Sequence, residues 1–390
     1  MAVIPFVAPH RRRSAASIAQ SPAVSRANNF DFLRLVAALS VVFSHSFLIA
    51  EGSEASEPFV RLTGNQCVLG LVGVFVFFII SGYLVTGSFL RHPEPGRFAL
   101  KRGLRIFPGL AVNLLVCALV LGALVTTLPL GDYLRSPELG AYLARGMALT
   151  TQSPPLPDVT FVDNAVGNIV NGSLWTLRYE VMMYAMVLLL GVAGLLRLSV
   201  SLVLVAIGIA AVACEKALKP FGDFGEMAWL LGFFASGMAM HFLRDRLSFR
   251  WPFIVAGLAA LVLFSWLHAL IMLFPLAGAY LIIGFATRND RGLDYSRHVG
   301  DLSYGLYIYG WPAENLIAWL SHGQAAWWQV FLGSLAVAAP LAYVSWHLVE
   351  KRALRWGHAR RHEVIAFDRT VSQAYRRARI TRDGKSGHGL

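Results

Sequence analysis

Apolar residues in this chain form long windows separated by short polar clusters, and the windows are too long for half-buried strands. They lie near residues 30–50, 66–90, 105–128, 172–195, 198–214, 224–243, 251–267, 269–287, 299–320 and 326–349. Most approach the roughly 20 residues with which an α-helix crosses a hydrocarbon core about 30 Å thick. The pattern predicts an all-α fold, a polytopic integral membrane bundle of about ten transmembrane helices spanning residues 28–352. Residues 1–27 read as a disordered basic leader, because Arg11 to Arg13 are not followed by an apolar stretch with a cleavage site. Residues 353–390 read as a basic tail with a weakly helical stretch around VSQAYRRARI.

Composition agrees with this class: the chain is 56% hydrophobic and only 14% charged. The net charge of +12 raises nucleic-acid binding as an alternative, but the positions of the cations oppose it. With the N-terminus inside, 27 of the 34 Lys and Arg residues fall in cytoplasmic segments. Five (Arg61, Arg135, Arg145, Lys216, Lys219) fall outside and two (Arg34, Arg178) within spans. That asymmetry predicts both termini in the cytoplasm and a multi-pass protein of the inner (plasma) membrane. The partners it implies are a lipid bilayer and no nucleic acid. Three scattered cysteines, Cys67, Cys117 and Cys214, predict neither a disulfide framework nor a metal site.

Ionisable groups inside the windows are the first candidates for chemistry, since they are costly in lipid. Arg34 and His45 are eleven residues apart in the first window. On a helix they share one face, about 16 Å apart along the axis. A plain structural reading makes Arg34 a snorkelling cation and His45 a packing histidine. Glu180, in SLWTLRYEVMMY, falls at nearly the depth of His45 in the predicted topology. A buried carboxylate needs a partner. Arg178 is two residues away and points to another face, so Glu180 requires a group from another helix, with His45 one option.

Three further patterns accompany these residues. Ser81 and Gly82, in GVFVFFIISGYLVTG, form a small-residue notch suited to close helix packing or to a ligand cavity. Arg102 and Arg105, in KRGLRIFPGL, stand one turn apart, either as topology anchors or as a phosphate clamp. Tyr304, Tyr307 and Tyr309 crowd VGDLSYGLYIYGWP, either as an interfacial aromatic belt or as part of a site. The long external segment 129–171, rich in Pro and Gly, leads directly into NGSLWTLRYE and is placed to face a substrate.

In this order the motifs resemble the membrane-bound acyltransferase-3 family, which includes O-antigen and exopolysaccharide O-acetyltransferases. The resemblance covers residues 28 to 352 and rests on Arg34-x10-His45, F-F-x-x-S-G-Y at Phe77–Tyr83, and R-x-x-R-I-x-P at Arg102–Pro108. It continues through S-L-W-T-L-x-x-E ending at Glu180, S-Y-x-x-Y-x-x-x-x-P from Ser303 to Pro312, and V-E-K at Val349–Lys351. Many relatives carry a histidine where this chain has Gly310, so that residue's role does not transfer. The resemblance implies transfer of an acyl group, usually acetyl, from cytoplasmic acyl-CoA to a hydroxyl of a glycan or lipid-linked sugar. Acetyl-CoA would then be a co-substrate, with no bound cofactor and no metal. His45 would act as general base and Glu180 would orient it or bind the acceptor. Arg34, Arg102 and Arg105 would engage CoA phosphates, and the Ser81–Gly82 notch would admit the thioester arm. Trp175 and Tyr304 would face the acceptor sugar. A proton-coupled transporter or flippase for a polar lipid or sugar is the rival on physical grounds, although no internal repeat supports it.

Overall fold

The computed structural model describes residues 28–359, except 151–154, 160, 162–163, 165, 167–168, 215–222, 289–292 and 294. The leader, the VSQAYRRARI stretch and the rest of the tail beyond Ala359 lie outside the described residues. Among the described residues the chain is helical, with no strand. Each of the ten apolar windows coincides with a helix. Six helices are long and apolar enough to cross a membrane, and three shorter apolar ones accompany them.

The first helix, α1, spans Phe30–Glu51 and ends at Gly52, whose φ of 74° closes it. A short helix α2 (Pro58–Leu62) leads to α3, Leu69–Arg91. The next helix, α4, runs over Pro95–Val125 with a π stretch at Cys117–Leu121. It starts ten residues before the apolar window because Pro95 sits in its first turn, where the missing N–H costs nothing. Arg102 and Arg105 are thus well inside a helix and not at its tip. Two small helices, α5 (Leu130–Arg135) and α6 (Pro137–Ala148), precede α7, Trp175–Val192. Then come α8 (Leu198–Ala213), α9 (Asp223–Leu243), α10 (Trp251–Trp266) and α11 (Leu270–Ala286). A turn α12 (Ser296–Val299) and Gly300, with φ of 91°, lead to α13, Ser303–Leu320. The last helix, α14, is Trp327–Ser345, prolonged through a π turn to Ala359.

Within the bundle, α13 is enclosed by α1, α14, α4 and the turn that enters α7. Every residue from Ser303 to Asn315 is buried, which is why this window tolerates more polar residues than a lipid-facing span. It packs against α14 and α1, and α1 packs in turn against α3. Tyr304, Tyr307 and Tyr309 are therefore core residues, 8%, 6% and 2% exposed, and not an interfacial belt. Pro312 has no N–H for the carbonyl of Ile308, one turn earlier. Side-chain amides of Asn113 and Asn171 donate to that oxygen instead, each at 2.9 Å. The proline-bearing helix is thereby tied to α4 and to the segment that enters α7.

Close backbone approach joins α3 to α9. A Cβ at Gly82 would lie 1.9 Å from the Phe234 carbonyl, and one at Gly237 would lie 2.0 Å from the Ile79 carbonyl. These two glycines set the spacing, as small residues do where membrane helices meet. Gly82→Val is expected to destabilise the bundle by about 1–3 kcal/mol or more. A detergent-solubilised thermal melt reads this, and a wild-type melting temperature would show that α3 and α9 can separate without cost.

Candidate active site

Two groups of polar side chains occupy opposite ends of α1 and α13, which run in the same direction. At one end Arg34 donates to Asp31 at 2.9 Å and to Asp301 at 3.2 Å. Arg105 donates to the same Asp301 oxygen at 2.5 Å. The second Asp301 oxygen accepts from Ser303 Oγ, also at 2.5 Å. Burial pushes the Asp301 carboxyl up, but Arg105 and then Arg34 outweigh it and hold the group well below the usual carboxylate range. This ion triad lies in the wall of a cavity of about 540 Å³.

Arginine dominates the rest of that wall. Arg91, Lys101 and Arg102 join Arg34 and Arg105. Arg102 lies 5.6 Å over the ring of Tyr184 and 5.9 Å over Phe98, and its buried Nε has no acceptor. Among the described residues its guanidinium has no carboxylate within ion-pair distance, unlike those of Arg34 and Arg105. Ser81 and Glu180 face the same space, with Ser81 Oγ donating to Glu180 Oε1 at 3.1 Å. Tyr184 also donates to that oxygen. Glu180 therefore does find partners, one of them on another helix, but they are hydroxyls and not His45. Tyr304 lines the cavity too, its hydroxyl donating to the Ile106 carbonyl at 2.8 Å.

Apolar and hydroxyl side chains, among them Val74, Phe77, Leu177, Thr176 and Tyr307, complete the lining. The Thr176 and Tyr307 hydroxyls share a hydrogen bond of 2.6 Å, and the Phe77 ring stands edge-on to Tyr307 with centroids 5.5 Å apart. The lining stops there.

One helical turn beyond Tyr307, the second group begins. His45 stands edge-on to Trp311, with centroids 4.7 Å apart. Its Nδ1 lies 3.7 Å from Oε2 of Glu314, a carboxylate that is wholly buried. The other Glu314 oxygen accepts from Ser46 at 3.2 Å. Nδ1 is thus the ring nitrogen nearer the carboxyl, and Nε2 the one farther from it. The segment before α7 covers this end. Trp311 Nε1 and Asn315 donate to the Ile169 carbonyl at 2.9 and 2.8 Å, and Asn164 donates to Asn315 Oδ1 at 3.0 Å.

The cavity thus brings together Arg34, Ser81, Arg102, Arg105, Glu180 and Tyr304, and leaves three sequence-predicted residues elsewhere. His45 is at the other end with Glu314. Gly82 faces α9, as described above. Trp175 packs on Tyr179 and Trp229 and does not line the cavity. Gly310 abuts α1, where a Cβ would lie 2.7 Å from Val42 Cγ2, so a bulky side chain has no room there. Two residues escaped the sequence reading, Asp301 and Glu314. Glu314, in YGWPAEN, carried the same signal as His45, an ionisable group in an apolar window.

Comparison with known proteins now adds a family to this geometry. The acyltransferase domain family model matches residues 28–347. An O-acetyl transferase of Shigella phage Sf6 is 28% identical over 342 residues, covering 84% of this chain and 96% of its own. Nodulation protein 10 of Rhizobium leguminosarum bv. viciae is 30% identical over 361 residues, covering 84% of this chain and 93% of its own. No solved structure matches the chain. With nearly the whole helical bundle inside the match, the chain belongs to the acyltransferase-3 family and is a membrane O-acetyltransferase.

Proposed function

We propose that the protein moves an acetyl group from cytoplasmic acetyl-CoA to a hydroxyl of a cell-surface glycan or lipid-linked saccharide, in the inner membrane. The observation that carries this reading is one cavity whose lining joins Arg34, Arg91, Arg102 and Arg105 to apolar and hydroxyl side chains as far as Tyr307, one helical turn short of the Trp311 that contacts His45. Guanidinium forks match phosphate oxygens, whereas a thin thioester arm fits an apolar channel. With both termini inside, the Arg34 end is cytoplasmic and the His45 end faces out, toward the segment before α7. About ten crossings complete that topology. His45 Nε2 removes the proton of the acceptor hydroxyl, and Glu314 positions and stabilises the ring as it gains charge. The hydroxyl oxygen then attacks the acetyl carbonyl and the CoA thiolate leaves, taking up a proton.

Among the arginines, Arg102 is best suited to the donor phosphates, because Arg34 and Arg105 already share Asp301. Glu180, hydrogen-bonded to Ser81, borders the donor arm and not the base. That one relative is an O-acetyl transferase supports the reaction class. A transporter needs no thioester, and the family match does not favour it.

Purified protein in lipid, given acetyl-CoA and a saccharide acceptor, is expected to release free CoA in step with ester formation. Arg102→Ala is expected to raise the KM for acetyl-CoA about tenfold or more, the loss of one charge-assisted contact, with kcat less affected. Absence of any acceptor-dependent thioester consumption by the wild-type protein would refute the proposal. An unchanged KM would return Arg102 to a topology anchor.

A further inference from the structure

Beside the arginine-lined cavity, and sharing Arg91 and Leu84 with it, is a second cavity of about 500 Å³ between the last turns of α3 and α9. Its polar wall consists of Tyr83, Arg91, His241 and Arg244. The imidazole of His241 belongs to a buried residue, 7% exposed. Its Nε2 lies 2.7 Å from Arg244 Nη1. A guanidinium can only donate, so Nε2 is the acceptor and the proton of the neutral ring resides on Nδ1. That N–H is buried and, among the described residues, has no acceptor.

What surrounds Nδ1 is cationic. A Cβ at Gly87 would lie 2.9 Å from Nδ1 and 3.2 Å from Arg91 Nη1, so the two nitrogens are no farther apart than the sum of those distances. Glycine at this position is what lets both donors reach the same space. Arg244 completes the set from the other side of the ring. Its carboxylate neighbour, Asp245, approaches Nε at 3.5 Å from outside, with 81% of its side chain exposed, and so leaves the cavity face uncompensated. A buried donor is costly without an acceptor. Two forked cations and one imidazole N–H, arriving from different directions, suit a tetrahedral oxyanion with several free oxygens better than a planar carboxylate.

We propose that Arg91, His241 and Arg244 form a phosphate subsite at the Arg34 end of the bundle, separate from the position where Arg102 meets the donor. Two molecules carry a phosphate to that level: CoA, through its ribose phosphomonoester, and an anionic lipid, through its head group. The first source rests on the donor reading above, and Arg91, common to both cavities, is the residue that would bridge the two parts of one CoA molecule. The second source does not depend on that reading.

The test uses the full-length protein. In phosphatidylcholine nanodiscs, calorimetry measures binding of CoA and of dephospho-CoA, neither of which can be turned over. In parallel, native mass spectrometry follows phosphatidylglycerol retained by protein extracted from membranes containing it. If the phosphate is that of CoA, the wild-type protein prefers CoA over dephospho-CoA by about tenfold or more. His241→Phe and Arg244→Gln would abolish that preference, and His241→Gln, which keeps a donor, would partly restore it. If the phosphate belongs to lipid, the same two variants lose the retained phosphatidylglycerol while binding both CoA forms like wild type. Wild-type behaviour of both variants in both measurements would overturn the subsite. Absence of any CoA binding would sink the donor reading alone, because the lipid measurement still judges the subsite. Matching melting temperatures of the variants and wild type separate these outcomes from misfolding.

Discussion

Cells whose only copy of the protein carries His45→Ala are expected to lose O-acetylation of surface glycan, with transfer falling about 10²–10⁴-fold, the contribution of a positioned general base. Mass spectrometry of the surface polysaccharide reads the loss, and immunoblotting checks that protein level is unchanged. The substitution is structurally mild. His45 makes an edge contact with Trp311 and a 3.7 Å approach to Glu314, and among the described residues the ring has no hydrogen bond to lose. Glu314→Gln keeps the shape of the side chain and its acceptor for Ser46, yet replaces the carboxyl that approaches Nδ1. It is expected to lower kcat about ten- to a hundredfold, the equivalent of one charge-assisted contact. Because the two residues act as a unit, the double variant should be no worse than His45→Ala alone. Undiminished modification in His45→Ala cells would rule out an essential base at this position. Additive losses would place Glu314 in some other role.

Asp301→Asn is expected to cost about 3–5 kcal/mol of stability, the range for removing one partner from a buried ion pair. Its side chain is 9% exposed and stands between two guanidiniums, those of Arg34 and Arg105. With an amide in its place, two cations confront each other across a wall of the cavity. Adding Arg34→Gln to Asp301→Asn should recover part of the loss by removing one of those charges. Thermal unfolding in detergent measures both. The sign of the pH dependence follows from the carboxyl being held below its ordinary range. Its stabilisation is complete above the unfolded carboxylate value of about 4 and fades as pH falls through the lower folded value. A melting temperature identical to wild type for Asp301→Asn would show that the triad contributes nothing.

The helices were legible because lipid imposes one rule: satisfy the backbone within the segment. All ten windows follow it, even α13, whose polar residues face other helices. What a window cannot disclose is rotation. Ser81 and Gly82 are adjacent in sequence and read as one notch, yet a helix turns about 100° between them. Ser81 consequently meets Glu180 in the cavity, while Gly82 meets Phe234 on a different face. Depth counted along the sequence paired His45 with Glu180, but the structure sets Glu180 in the arginine-lined cavity and Glu314, at the other end of the site, beside His45. Glu314 won the contact because α13 runs alongside α1 and α7 does not. Start points failed where a proline opened a helix in polar sequence, as at Pro95, since hydropathy sees the lipid boundary and not the first hydrogen bond.

The Thr176–Tyr307 hydrogen bond, backed by Phe77, stands between the cavity and the turn that holds His45. A thioester is a perishable donor, and a base that met water before a sugar hydroxyl would destroy it. On the proposed reading, with the donor in the cavity and the base beyond this pair, the acetyl group meets the base only once the two hydroxyls part. Fidelity, in the sense of how seldom the donor is wasted, would then reside in a threonine and a tyrosine that take no part in bond making.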